Sequence, residues 1–89
     1  MRKNTENTLK AWHFNRSCQK SESIWTDGTR IYSYQTILVE PTGQADKVRV
    51  NMTKYSPTTS VHQNAILADL GGLVAETVDG VPMGAKAIR

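Results

Sequence analysis

The side chains with chemical potential crowd into one stretch, Lys54-Tyr55-Ser56-Pro57-Thr58-Thr59-Ser60-Val61-His62-Gln63. Hydroxyls, an imidazole and an amide meet there, between an alternating strand and a capped helix. Hydrolytic chemistry needs a nucleophile, a base and a group that orients the base, all within mutual reach. His62 stands close in sequence to Thr58, Thr59 and Ser60, with Asp69 two turns further along the same helix. The same residue types also serve a purely structural end. Hydroxyls saturate free amides at a helix start, and an imidazole in the first turn bonds backbone or covers the core. The junction residues Lys54, Ser56, Thr58, Thr59, Ser60, His62 and Gln63 are therefore candidates for binding or for capping. An anion would also suit that helix start, where backbone N–H groups and the helix dipole favour negative charge.

Other catalytic patterns are weaker. Cys18 and His13 are five positions apart, which suits neither one helix face nor one strand face. Two histidines, one cysteine and no C-x-x-C pair do not make a metal site. Gly71-Gly72 follows a helix, whereas a phosphate-cradling loop precedes one. These patterns predict no enzyme, no catalytic residue, no metal and no cofactor.

The elements that must position the junction follow from periodicity. Val48, Val50 and Met52 alternate with Arg49, Asn51 and Thr53, which predicts a strand over about 47–56. Its hairpin partner runs over about 30–40, after the turn signal Asp27-Gly28. A first strand ends near Trp25. Pairing Glu40 with Lys47 places Val39 opposite Val48 and Ile37 opposite Val50 on an apolar face. Ser60-x-x-Gln63 matches a capping box, so the helix is expected over about 61–70 and is stopped by Gly71-Gly72. Leu73–Val78 reads as an edge strand. Residues 1–8 read as a frayed end and 79–89 as a flexible tail. Leu9–Arg16 fits either a short helix or an extended arm, anchored by Trp12 and Phe14.

In that hairpin the second face gathers Tyr32, Tyr34, Arg49, Asn51, Thr53 and Tyr55. Aromatics beside cations on a sheet can stack single-stranded bases. The same residue types dominate protein interfaces. Packing under the N-terminal segment is the structural alternative.

The 89 residues fit one domain, and 38% hydrophobic with 21% charged residues is a globular rather than a disordered composition. Charge is uneven. Residues 1–20 hold Arg2, Lys3, Lys10, Arg16 and Lys20 against Glu6, while residues 21–89 hold six basic and seven acidic groups. The N-terminal cations are candidates for phosphate contacts, or simply a solvated tail. A lone cysteine forms no internal disulfide, which fits a reducing compartment. The start Met1-Arg2-Lys3 leads into polar residues rather than the apolar run of a signal peptide, and no apolar run reaches membrane-span length. A soluble cytoplasmic protein is the expectation.

Three ordered blocks carry a resemblance. Trp25-Thr26-Asp27-Gly28, Ile31-Tyr32-Ser33-Tyr34-Gln35-Thr36 and Val50-Asn51-Met52-Thr53 through Gln63 resemble a family of small proteins of unassigned activity from bacteriophages and some bacteria. Its pattern is roughly T-D-G, S-Y-x-T-x-I, N-T-x-Y-S-x-T-T-x-H-Q. The resemblance covers about residues 12–66; Met52 departs from it, and nothing after residue 70 matches. It implies a phage or prophage origin and an α+β fold, and it supplies no catalytic residue. The expected architecture is a small twisted antiparallel sheet of two to four strands with one helix on it. The expected function is stoichiometric binding of a host macromolecule, a protein or protein–nucleic acid complex, in host takeover or anti-defence, such as an anti-CRISPR. A nucleic-acid-binding module is the alternative. Oligomeric state is left open.

Overall fold

The computed structural model describes residues 3–19, 21 and 23–88. The chain is an α+β fold in the order α1 (Lys3–His13), β1 (Trp25–Thr26), β2 (Ile31–Ser33), β3 (Thr36–Pro41), β4 (Lys47–Asn51), α2 (Pro57–Ala68) and β5 (Val74–Val78). The five strands form one sheet in sequence order. Every neighbouring pair is antiparallel except β4 and β5, which run parallel because α2 carries the chain back between them. The expected α+β class holds. The sheet has one strand more than expected and is mixed, and a second helix joins it.

That second helix starts at Lys3, not near Leu9. Its buried side is Thr5, Thr8, Leu9 and Trp12, a helical spacing in which half the members are threonines. Thr8 Oγ1 donates to the Ile24 carbonyl at 3.3 Å, so its burial leaves no unmet polar atom. Trp12 anchors the helix as expected, and its Nε1 donates to Thr29 O. Phe14 does not anchor it: its side chain is 66% exposed.

The turn at Asp27-Gly28 forms as read. Asp27 Oδ1 accepts from the amides of Thr29 and Arg30, at 2.9 and 2.8 Å. Gly28 has φ +101°, and a Cβ there would lie 3.0 Å from the Asn15 carbonyl oxygen. Both terms oppose a side chain, so Gly28→Ala is expected to cost roughly 1–3 kcal/mol in urea unfolding. A smaller loss would mean that the segment after α1 shifts freely.

The long strand over 30–40 is two strands. Tyr34 takes φ +54° and turns the chain between β2 and β3. At this turn Ser33 faces Thr36. Further along, Tyr32 pairs with Ile37 but Ile31 pairs with Val39, so Leu38 is an extra residue in β3. The bulge puts Leu38 and Val39 in one core cluster and Ile37 in another. Ile37 therefore does not share a face with Val50, contrary to the simple alternation.

The β3–β4 register also differs. Glu40 faces Arg49 and Val39 faces Val50, two residues from the expected pairing. A two-residue slip keeps every side chain on its own face, so alternation cannot detect it. The buried Glu40 carboxylate decides the matter: Arg49 Nη1 lies 3.3 Å from it and Arg30 Nε 4.0 Å.

Helix α2 begins four residues earlier than the Ser60 capping box predicts. Ser56 is the N-cap, its hydroxyl accepts from the Thr59 amide at 3.2 Å, and Pro57 opens the helix. Proline suits that place because its fixed φ is helical and the first amide needs no intrahelical partner. At the far end Asp69 caps the helix, and Gly71, at φ +64°, lies two residues beyond it. Ser56→Ala is expected to cost about 1 kcal/mol in thermal or urea unfolding. Ser60→Ala should stay within about 0.5 kcal/mol. The reverse order would return the cap to Ser60.

Both faces of the sheet are covered. On one side α1, α2 and the loop after α2 bring Leu9, Trp12, Ile66 and Leu70 onto Ile31, Leu38, Val39 and Val50. On the other, Tyr32 and Ile37 pack with Val81 and Ile88. The segment expected as a flexible tail thus runs over the sheet, because it carries two aliphatic residues that bury to 2% and 1% exposure.

Candidate functional site

The second and third sequence blocks meet in a set of buried polar contacts. Ser33, at the end of β2, sits with its hydroxyl 2.9 Å from His62 Nδ1 and 3.3 Å from Thr59 Oγ1. Thr59 and His62 lie on the inner side of the first turns of α2, three residues apart. Next to His62, Gln63 donates to the carbonyls of Asn51 and Thr53, both at 2.8 Å. Asn51 Nδ2 donates to Ile37 O and to the Tyr55 hydroxyl, and its Oδ1 accepts from the Thr53 amide. The Tyr55 hydroxyl donates in turn to Val81 O at 2.5 Å. Among the described residues, no buried side-chain nitrogen or oxygen lacks a partner.

A hydroxyl beside an imidazole is the beginning of a nucleophile–base pair. Here Ser33, Thr59 and His62 are 2–4% exposed. What the network does in this arrangement is join β2, β4 and α2. It satisfies the strand-end carbonyls that the break after Asn51 leaves without a ladder. Asp69, the acid considered for His62, instead sits with its carboxylate 3.3 Å from His13 Nε2. His13 Nε2 also lies 2.8 Å from the Asp69 backbone carbonyl, which ties the end of α1 to the end of α2.

The other junction residues divide by depth. Lys54 and Ser56 are exposed, and Thr58 and Ser60 are half-buried. The tyrosine-bearing residues do not form one open face. Tyr32 is 8% exposed and stacks on Trp25, with ring centres 4.2 Å apart. Burial, helped by the charge of Asp27, raises the Tyr32 phenol above its ordinary pKa. Asn51 is fully buried, and Thr53 and Tyr55 are partly covered by the segment after β5. Cover comes from the C-terminal segment, not from the N-terminal one. Tyr34 is exposed, but in the β2–β3 turn. Arg49 is tied to Glu40 and Glu76, and Lys47 to Glu76 at 3.1 Å. The hydrogen bond and charge of Lys47 hold the Glu76 carboxyl below its usual range.

The N-terminal cations stand apart from this network. Lys3, Lys10 and Arg16 are exposed, and none forms an ion pair among the described residues. Arg2 and Lys20 lie outside the described residues. Lys3, Asn7, Lys10 and Phe14 follow one stripe of the helix at spacings of four, three and four. Lys10, Phe14 and Arg16 flank a surface hollow of about 410 Å³ with Asn7, Ser17 and Cys18. A second cleft, of about 590 Å³, lies between Trp12, Pro41, Val48 and the Leu70–Leu73 loop. Reading the sequence missed this cleft, since it is made by elements far apart in the chain. Among the described residues, no three of His, Cys, Asp and Glu gather as metal ligands, and no helix is long and apolar enough to cross a membrane.

The three sequence blocks, two of which build the network, all fall inside one family match, which spans residues 2–79. The chain belongs to a family of unknown function, DUF8033. No curated protein and no solved structure matches it. In this DUF8033 chain the match takes in every strand and both helices. It stops just before the segment that covers the tyrosine side of the sheet.

Proposed function

We propose that this DUF8033 chain works by binding rather than by catalysis. It is a small protein of phage type that holds a host protein, or a protein–nucleic acid complex, in the host cytoplasm. It acts stoichiometrically in host takeover or anti-defence, as an anti-CRISPR does. The observation that carries the reading is the fate of His62. Its Nδ1 pairs with the Ser33 hydroxyl, which also meets Thr59, and this contact is spent on joining α2 to the sheet, at an exposure that leaves a substrate no approach. The large apolar side chains left at the surface, Phe14, Tyr34, Val74 and Met83 among them, suit docking. The phage and inhibitor parts of the reading draw on the resemblance of the three sequence blocks.

Affinity capture with the tagged full-length chain from bacterial lysate tests this, with half the lysate treated with nuclease. A protein recovered at a fixed ratio in both halves supports the reading. Turnover of a substrate that His62→Ala abolishes while the fold survives would overturn it.

A nucleic-acid-binding module is the second reading, and the unpaired cations on α1 beside exposed Phe14 favour it. Contacts from Lys3, Lys10 and Arg16 to a single strand would give log K a slope of about −2 against log salt. A protein interface centred on apolar contacts would change far less.

A further inference from the structure

The segment after β5 is held as a peptide ligand is held. It has no regular secondary structure of its own. Two aliphatic side chains, Val81 and Ile88, are buried, while Pro82, Met83, Gly84 and Lys86 between them are exposed. The sheet and the loop after β4 contribute the polar clamps. Thr53 Oγ1 accepts from the Val81 amide at 2.9 Å, and the Tyr55 hydroxyl donates to the Val81 carbonyl. Thr36 Oγ1 accepts from the Gly84 amide at 2.8 Å. The Ile37 amide donates to the Ala85 carbonyl at 2.9 Å, the main-chain contact that added strands use. Lys86 Nζ donates to Gln35 O at 3.0 Å and lies 5.7 Å above the Tyr32 ring. The segment leaves the sheet through Asp79-Gly80, with Gly80 at φ +75°. The DUF8033 match ends at residue 79, so it contains the groove and not its occupant.

We propose that the face made by Tyr32, Thr36 and Ile37 of the sheet, with Thr53 and Tyr55 of the loop after β4, is a binding groove for an extended peptide, kept closed in this chain by its own residues 81–88. The ligand is a partner segment with the chemistry of that strap: two aliphatic residues seven positions apart, and a lysine two before the second. Binding exchanges one strap for another. Main-chain and hydroxyl bonds give affinity, and the two aliphatic pockets and the Tyr32 ring give selectivity. This deepens the reading of the chain as a protein-binding module and rests on it.

Exchange requires that the strap open without the rest of the fold. Native-state amide exchange on the full-length wild-type chain measures this directly. The Ile37, Val81 and Gly84 amides are expected to exchange at least tenfold faster than the amides that pair β4 with β3 and β5. Equal protection would show that the strap leaves only on global unfolding, and would overturn the proposal. Next, a labelled peptide with the sequence of residues 79–88 is titrated into wild type and into Ile88→Ala. Saturable binding, at least tenfold tighter to Ile88→Ala, is the expected result. A peptide with Asp at both aliphatic positions should not bind. Should Ile88→Ala fail to fold, titration of wild type decides. Absence of peptide binding to wild type and to a folded Ile88→Ala overturns the groove. A partner still captured from lysate would then leave the wider binding reading standing.

Discussion

Replacing Asn51 by alanine is expected to lower the unfolding free energy by about 3–5 kcal/mol. Asn51 is fully buried and serves three partners at once: it donates to Ile37 O and the Tyr55 hydroxyl, and accepts from the Thr53 amide. Alanine removes all three bonds and leaves a small void. Each buried group left without a partner costs roughly 1–3 kcal/mol, which exceeds the net worth of the bond it once made. Tyr55 softens the loss, because its hydroxyl still donates to Val81. The total is a large fraction of the 5–15 kcal/mol, or about that, by which such a domain is stable. In a chain of this size it lowers Tm by about 15–30 °C. Asn51→Asp separates the parts, since it keeps an acceptor for Thr53 and loses both donated bonds. A loss below about 1 kcal/mol for Asn51→Ala would mean that water takes over the three contacts and the network is not what holds β4 to the start of α2.

Asn51 also marks where the sequence could be read and where it could not. Its place on the strand face opposite Val48 and Val50 follows from alternation, and the structure keeps it. Its burial does not follow, because the cover comes from the bulge at Leu38 and from Val81, 30 residues further on. The same limit explains α1. A helix whose inner side is Thr5, Thr8, Leu9 and Trp12 has too little apolar periodicity to stand out, and Thr8 becomes a core residue only when Ile24 O is there to accept its hydrogen bond. Local signals fared better where backbone geometry alone decides, as at Asp27-Gly28. They misled at α2, where Ser60-x-x-Gln63 and Ser56-Pro57 both spell a helix start. There Gln63 was claimed by the carbonyls of Asn51 and Thr53, which a local pattern cannot see. In the candidate site, the junction residues were legible as a group because they are contiguous. Ser33, which completes the contact with His62, was not, since only folding brings it there.

The three tyrosines, alike in the sequence, should separate sharply in stability. Tyr32→Ala is expected to cost about 3–5 kcal/mol in urea or thermal unfolding. Its ring is buried, stacks on Trp25, and forms part of the floor under Val81 and Ile88. Ring loss therefore empties the second core cluster from its centre. Tyr32→Phe keeps the stack and should cost far less. Tyr55→Phe keeps the packing but loses the bond given to Val81 O and the one taken from Asn51, an expected cost of about 1–3 kcal/mol. Tyr34→Ala removes an exposed side chain from a turn and should stay within about 0.5 kcal/mol. If Tyr32→Ala were as mild as Tyr34→Ala, the segment over Tyr32 would contribute no core, and the face would already be open. If Tyr32→Ala is costly while Tyr34→Ala weakens capture of a partner, docking uses the β2–β3 turn and the covered face waits on its strap. The sheet face thus acts as core or as contact according to whether residues 81–88 are in place, and the tyrosine beneath them is the residue whose loss reports which.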